Sequence, residues 1–186
     1  MKLYIKNMVS NRCKMIVKSE LEKLGLHYIM LELGEIEIME NISSEIQTQL
    51  NTGLMESGFA LISDKKSILI ERIKNTIIEL VHYSDKQLKI KFSLYLHEKL
   101  NYDYTYLANL FSEIQGISIE HYLLSHKIER VKELLIYDEL NITEIADKLH
   151  YSSVAHLSNQ FKKITGLTPS YYKHLKLNRR KALENV

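Results

Sequence analysis

Residues 144–172 read EIADKLHYSSVAHLSNQFKKITGLTPSYY, and this stretch decides the fold of the C-terminal part of the chain. Ala146 provides a small contact in a short helix, residues 150–152 form a turn, and Leu157 and Phe161 anchor a second helix inward, since residues four apart share one helix face. The outer face of that second helix keeps short or polar side chains, namely Ser153, Ala155, Ser158, Asn159 and Lys162. This order predicts a helix-turn-helix unit whose second helix is free to enter the major groove of DNA.

The same pattern occurs once more, earlier in the chain. Lys99-Leu100-Asn101-Tyr102 precedes Leu107, Phe111 and Gly116, as Lys148-Leu149-His150-Tyr151 precedes Leu157, Phe161 and Gly166. The offset is 49 residues before the turn and 50 residues after it, so the second turn is one residue longer. The repetition predicts two similar helix-turn-helix units, at about residues 93–114 and 141–164.

With these parts identified, residues 64–186 strongly resemble the AraC-type transcriptional regulators. The signature that carries the resemblance is written in this chain as Glu144-Ile145-Ala146, Phe161-Lys162-Lys163, Gly166, Thr168-Pro169 and Tyr171-Tyr172. The resemblance implies two helix-turn-helix units joined by a long central helix, about 118–137, that read two successive major grooves on one face of double-stranded DNA. It also implies that the two recognition helices lie about one helical turn, roughly 34 Å, apart.

The resemblance further implies which side chains face the DNA. The base-reading candidates carried over by position are Thr105, Ala108 and Asn109 in the first recognition helix and Ala155, Ser158 and Asn159 in the second. Phosphate contacts are expected from Lys162, from Lys163, and from backbone amides at helix starts such as Ser118 and Ser152.

Two positions depart from the family's pattern. Asn159 stands where many members place Arg, which argues against a guanine contact there, and its paired donor and acceptor suit adenine. A solvated helix face stays open as the alternative for both Asn109 and Asn159. His97 stands where a small Ala is usual, so the first unit is either looser or serves only to position the protein. Tyr106 and His156 are interpreted as packing or rim residues.

Capping patterns locate the remaining helices of the C-terminal region. Asp64 is expected to cap a helix that runs to Tyr83, and Ser118 and Thr168 to cap two later helices. Asn141 with Glu144 three residues on forms a capping-box pattern. Residues 63–186 are therefore predicted to form an all-α, seven-helix domain.

The first 62 residues alternate between two periodicities. Strands with alternating apolar residues are predicted at residues 2–9, 27–38 and 59–62, and helices at about 11–25 and 43–58. The middle region is either two strands or one strand with a turn at Gly34. The order βαββαβ predicts an α+β, ferredoxin-like module over residues 1–62.

This module resembles a degenerate heavy-metal-associated domain in its element order and in its loop from Met8 to Cys13. Such domains hold a soft metal ion between two cysteines, because thiolates select Cu(I) and Zn. Ser10 replaces the first of the two cysteines, so no metal is expected, although Cys13 remains one candidate ligand. Three alternatives stay open for Cys13: a small half-buried residue, a reactive or sensory thiol, and an ion shared across a homodimer.

Composition and charge exclude several classes of protein. With 45% hydrophobic residues, 6 Gly and 1 Pro among 186 residues, the chain is neither disordered nor collagen-like. No apolar run reaches the roughly 20 residues of a membrane span, and the start lacks a signal-peptide pattern. The single cysteine fits a reducing cytoplasm. Neither a Gly-rich phosphate loop nor a Gly-x-Ser-x-Gly elbow occurs, so no enzyme is predicted.

The net charge of +2 hides an uneven distribution. Residues 1–80 sum to −1 and residues 81–186 to +3, and the basic residues gather towards the end of the chain. Those at the end are Lys162, Lys163, Lys173, Lys176, Arg179, Arg180 and Lys181. A cluster of this sign suits a phosphate backbone, because each neutralised phosphate releases counterions.

The sequence therefore predicts a cytoplasmic, sequence-specific DNA-binding transcription regulator that needs no cofactor. The alternative is a soft-metal-responsive or protein-interaction adaptor that acts through the N-terminal module. Double-stranded DNA is the expected partner and no membrane is involved. A homodimer and an unknown effector or metal ion at the N-terminal module stay open.

Overall fold

The structure, a computed structural model, describes residues 1–84, 88–137 and 140–175. Its internal contacts divide it into two compact units. The first consists of Met1–Ile78 and Leu96–Leu110, and the second of Glu79–Tyr95 with the described residues from Phe111 onward. The basic residues Lys176, Arg179, Arg180 and Lys181 lie outside the described part of the chain.

Four strands form one antiparallel sheet in the first unit, namely β1 (Lys2–Lys6), β2 (Tyr28–Glu32), β3 (Glu35–Ile38) and β4 (Ala60–Ile62). Their order across the sheet is β2-β3-β1-β4. In the pairing of β1 with β3, Leu3 lies opposite Ile36. Residues 27–38 are thus two strands, because Gly34 adopts a left-handed φ of +77° and turns the chain between them.

Two helices complete this α+β module, α1 (Asn11–Lys23) and α2 (Ser44–Glu56). The chain leaves α1 through Gly25, whose left-handed φ of +65° is typical of a glycine that ends a helix. The hydroxyl of Ser43 accepts a hydrogen bond from the Ile46 amide at 3.4 Å and so caps α2. Both helices bury their apolar stripe in one core with the sheet, where Val17 and Leu50 are fully buried. Burial of each such side chain stabilises the fold by about 1.5–3 kcal/mol.

The helix α3 (Lys65–Ile78) is fastened to the sheet module by buried polar side chains. Asp64 caps it, as predicted, by accepting a hydrogen bond from the Ser67 amide at 2.8 Å. Glu71 accepts from the backbone amide of Asn7 at 3.1 Å, and Asn75 donates to the carbonyl of Leu33 at 3.0 Å. Because a buried polar group is costly unless it is hydrogen-bonded, these bonds fix how α3 packs in the first unit.

The loop that resembles a metal site points its sulfur atoms into the core. Met8 is fully buried, and its Sδ accepts a hydrogen bond from the Gly34 amide at 3.4 Å. Cys13 is buried, with its Sγ 3.4 Å from the Ser10 hydroxyl. Over residues 1–84, 88–137 and 140–175, no group of three or more His, Cys, Asp or Glu side chains that could hold a metal ion is found. The resemblance to a heavy-metal-associated domain is therefore not supported.

Beyond the sheet module, the described residues form helices joined by short loops and turns. The segments are α4 (Phe92–Leu100), α5 (Tyr104–Gln115), α6 (Ile119–Tyr137), α7 (Ile142–Lys148), α8 (Val154–Thr165) and residues 169–175. The helix predicted to run regularly to Tyr83 instead changes at Glu79 into a π-helical turn, Glu79–Tyr83. In the second unit, α6, α7 and α8 share one core that includes Ile128, Ile145 and Phe161.

In the described residues, no helix has both the length and the apolar composition needed to cross a membrane.

Candidate nucleic-acid interface

In the first helix-turn-helix, α4 and α5 are joined by a tight turn at residues 101–103. Asn101 adopts a left-handed φ of 58°, which reverses the chain. His97 holds the turn from the α4 side, since its Nδ1 lies 2.8 Å from the carbonyl oxygen of Tyr102. Asp103 caps α5 by accepting from the amides of Thr105 and Tyr106 at 2.8 and 3.2 Å. These backbone hydrogen bonds lower the pKa of Asp103, chiefly the one from Tyr106, because they favour the charged carboxylate.

The second helix-turn-helix, α7 and α8, has the same construction, with one more residue between the left-handed turn residue and the cap of the second helix. Asn141 and Glu144 form the predicted capping box at the start of α7. His150 adopts the same left-handed φ of 58°, and Ser153 caps α8 by accepting from the His156 amide at 3.1 Å. Ala146 is buried in the core of the second unit, as a small residue at a close helix contact should be.

The equivalence extends beyond the recognition helices. Gly116 and Gly166 end α5 and α8 with left-handed φ values of 70° and 77°. Ser118 and Thr168 then cap the helical segments that follow. The ring centroids of Phe111 and Tyr122 lie 5.5 Å apart, and those of Phe161 and Tyr172 also lie 5.5 Å apart, both pairs edge to face. The internal repeat predicted from sequence is thus a structural repeat.

The base-reading candidates of each recognition helix lie on a single face. Thr105, Ala108 and Asn109 are spaced i, i+3 and i+4 along α5, and Ala155, Ser158 and Asn159 have the same spacing along α8. The first and third position of each set are exposed and the middle one is half-buried. The opposite face of each helix is anchored by fully buried residues: Leu107 and Phe111 in α5, Leu157 and Phe161 in α8.

The phosphate candidates occupy two kinds of position. Lys162 and Lys163 are exposed in the last turn of α8. The hydroxyl of Ser118 is engaged in capping α6, where it accepts from the His121 amide at 3.1 Å. Ser152 lies one residue before the cap of α8, and its hydroxyl is 2.9 Å from Nδ1 of His156.

Two features were missed by reasoning from sequence. Tyr106 is 46% exposed and stacks on Tyr102 with ring centroids 5.8 Å apart, so an aromatic pair stands on the surface at the start of α5. Lys127 is half-buried on α6, where its ammonium donates to the carbonyl of Leu149 at 3.2 Å and lies 5.2 Å from the centre of the Tyr151 ring. Burial lowers the pKa of Lys127. The spacing of residues around Tyr106 is the same as around a buried Tyr, and the spacing around Lys127 is the same as around an exposed surface Lys, so the sequence pattern did not reveal either feature.

Comparison with known proteins agrees with this geometry. A family model described as "Helix-turn-helix domain" matches residues 96–174. The solved C-terminal domain of AraT, a response regulator from Geobacillus stearothermophilus, is 30% identical with a TM-score of 0.51, over 60% of this chain and 88% of that domain. The chain belongs to the AraC-type helix-turn-helix family.

Two further comparisons concern one sequence relative and one solved structure with a similar fold. YtdP, an HTH-type transcriptional regulator of Bacillus subtilis (strain 168), is 24% identical over 81% of this chain, which spans only 20% of YtdP. The DNA-binding domain of AdpA, a global transcriptional factor solved in complex with a target DNA, has a TM-score of 0.50 at 18% identity, over 64% of this chain and 98% of that domain. The relatives of this AraC-type chain are transcription regulators and not enzymes.

Proposed function

We propose that this chain is a sequence-specific, double-stranded DNA-binding transcription regulator, with α5 and α8 as its recognition helices in two successive major grooves. One observation carries the proposal: the helix-turn-helix geometry occurs twice, and each copy places short side chains at the same three positions on the outer face of its second helix, two of them exposed and the middle one half-buried. Short side chains let the helix backbone approach base edges, whereas bulky ones would hold it away.

The relatives support the same reading. The AdpA domain, which shares this fold, is described in complex with a target DNA, and YtdP is named an HTH-type transcriptional regulator. A resemblance of fold and family to such proteins makes nucleic acid the expected partner of this face.

Within this proposal the two kinds of contact come from different residues. Thr105, Ala108, Asn109, Ala155, Ser158 and Asn159 read bases. Lys162 and Lys163 bind phosphates at the end of α8, and backbone amides near Ser118 and Ser152 bind phosphates at helix starts, where the N–H groups and the helix dipole favour an anion.

For the N-terminal part, we propose a ferredoxin-like arrangement over residues 1–62 ahead of the DNA-binding domain at 63–186. The strand order β2-β3-β1-β4, with both helices in one core, supports that arrangement. Its role is to receive an effector or a second copy of the chain, as an input module of a regulator would.

Fluorescence anisotropy tests the proposed function. The full chain is titrated with a labelled duplex selected from a random library and with a scrambled duplex of equal composition, at several salt concentrations. We expect the selected duplex to bind about a thousandfold more tightly or better, with affinity falling steeply as salt rises. Equal binding of both duplexes would contradict sequence-specific recognition, and absence of binding would contradict DNA as the partner.

A further inference from the structure

The two recognition helices carry the same side chain at one equivalent position. Asn109 lies two residues after the anchor Leu107 and two before Phe111, and Asn159 lies in the same way between Leu157 and Phe161. Both asparagines are exposed, on the face opposite the buried anchors. The helix-turn-helix repeat therefore presents one amide group twice, in the same local setting.

Unlike four other asparagines of the described chain, these two make no hydrogen bond that would give their amides a structural role. The side chains of Asn7, Asn51, Asn75 and Asn141 each make a hydrogen bond to the backbone. Among residues 1–84, 88–137 and 140–175, the side chains of Asn109 and Asn159 have no hydrogen-bond partner. Asparagine is also a poor helix former, so each helix carries an unpaired amide that does not favour its own folding.

The chemistry of an amide selects one base. Its carbonyl oxygen and NH2 group together match the N6 donor and N7 acceptor of adenine in the major groove, whereas guanine presents two acceptors and is read by Arg or Lys. None of the six base-reading candidates carries a positive charge. The positions beside the asparagines, among them Thr105, Ala108 and Ala155, offer small apolar groups that suit the methyl group of thymine.

We infer that each repeat reads an adenine, so that the operator contains two half-sites with the same adenine at the equivalent place, set among A·T pairs. This inference rests on the proposed function and adds the base composition of the target. It requires the two half-sites to resemble each other where Asn109 and Asn159 contact them, because the two helices present the same group in the same local geometry.

Substitution of each amide tests the inference. Duplexes with each of the four bases at every position of a selected site are bound to the full chain and to Asn109→Ala and Asn159→Ala. We expect wild type to prefer adenine at one position of each half-site by about 5- to 140-fold, and each variant to lose that preference in one half-site only. Asn109→Gln and Asn159→Gln keep the amide and should retain a preference for adenine, and thermal unfolding confirms that all variants are folded.

Each remaining outcome overturns a distinct claim. Selective binding with guanine preferred at either position, or adenine preference that survives both Ala variants, overturns this inference and leaves the proposed function standing. Equal affinity of wild type for all duplexes overturns the proposed function, and this inference with it.

Discussion

The two helix-turn-helix repeats share a backbone but not a surface charge. Both turns contain a residue with φ of 58°, both recognition helices end at a left-handed glycine, and both carry a buried Phe against a Tyr ring. Yet the one charged residue of α5 is Glu113, whereas α8 carries Lys162 and Lys163 at the corresponding end. Local geometry is thus kept by buried anchors and caps, while the exposed positions are free to differ. We therefore expect the second repeat to make the stronger phosphate contacts, and the first repeat to depend more on its contacts with bases.

The largest expected effect tests whether the buried anchors are equivalent. Phe111→Ala and Phe161→Ala each remove a fully buried ring that packs on a tyrosine. Each should lower the free energy of unfolding by about 3–5 kcal/mol in urea titrations, because it deletes apolar contacts and leaves a cavity. Ser112→Ala and Lys162→Ala, at exposed neighbouring positions, should change it by no more than about 0.5 kcal/mol. If one of these two variants loses much of its free energy of unfolding and the other loses almost none, the two anchors are not equivalent.

A second comparison concerns the tyrosines of the two turns. Tyr151 is buried and its hydroxyl lacks a hydrogen-bond partner in the described chain, while Tyr102 is 43% exposed. Burial raises the pKa of Tyr151 to about 12. The folded state therefore resists ionisation that the unfolded chain undergoes near pH 10, so stability conferred by the neutral phenol is lost as pH rises from about 10 to 12, by roughly 2–3 kcal/mol.

The variants Tyr151→Phe and Tyr102→Phe check this difference. Tyr151→Phe should abolish the loss of stability that ionisation of Tyr151 causes at alkaline pH. It should also raise the free energy of unfolding at pH 7 by about 1 kcal/mol or more, because it deletes a buried hydroxyl that has no hydrogen-bond partner. Tyr102→Phe, at a ring that is 43% exposed, should change the free energy of unfolding at pH 7 by no more than about 0.5 kcal/mol. Parallel alkaline profiles for wild type and Tyr151→Phe would show that the Tyr151 hydroxyl finds a partner.

A third comparison concerns charge at the end of each recognition helix. Replacing Lys162 and Lys163 together by Gln should weaken DNA binding about 30-fold at 0.15 M salt and reduce the slope of log affinity against log salt by about 2, because two phosphate contacts are lost. Lys65 and Lys66, an adjacent exposed pair at the start of α3, give the matched control, and their replacement by Gln should leave the slope as it is. The converse double variant, Ser112→Lys with Glu113→Lys, should steepen it. If the double variant Lys162→Gln/Lys163→Gln keeps the wild-type slope, these two lysines do not contact phosphates.

The smallest effect comes from the two left-handed turn residues. His150→Gly should stabilise the fold by about 0.5–1 kcal/mol, because a residue with a Cβ is strained at positive φ. Asn101→Gly should gain less, since Asn tolerates this conformation better. The measurement is the midpoint of thermal unfolding, and a larger gain at Asn101 than at His150 would contradict this ranking.

Features written in local sequence were predictable. The caps at Asp64, Asn141 and Thr168, and the turn glycines, depend on residues within a few positions, and the repeat was visible as a spacing. The packing of α3 through Glu71 and Asn75 could not be predicted, because their partners Asn7 and Leu33 are distant in sequence. The positions of Met8 and Cys13 along the chain matched those of a metal-binding loop. Whether their sulfur atoms face solvent or the core depends on tertiary packing, which the local sequence does not specify.

The candidate site divides in the same way. The register of the candidate base-reading positions in α5 and α8 follows from the spacing of the Leu and Phe anchors, so the sequence was enough to put them on one face of each helix. The exposed stack of Tyr102 and Tyr106 and the half-buried Lys127 arise from neighbours that no periodicity specifies.

The claim that both repeats read DNA is tested most directly by selecting bound sites from a random duplex library with the full chain. The predicted result is two conserved blocks within each enriched site, with centres about 10.5 base pairs apart, one helical turn. A single conserved block would show that only one recognition helix reads sequence, and a library that is not enriched would contradict sequence-specific binding altogether.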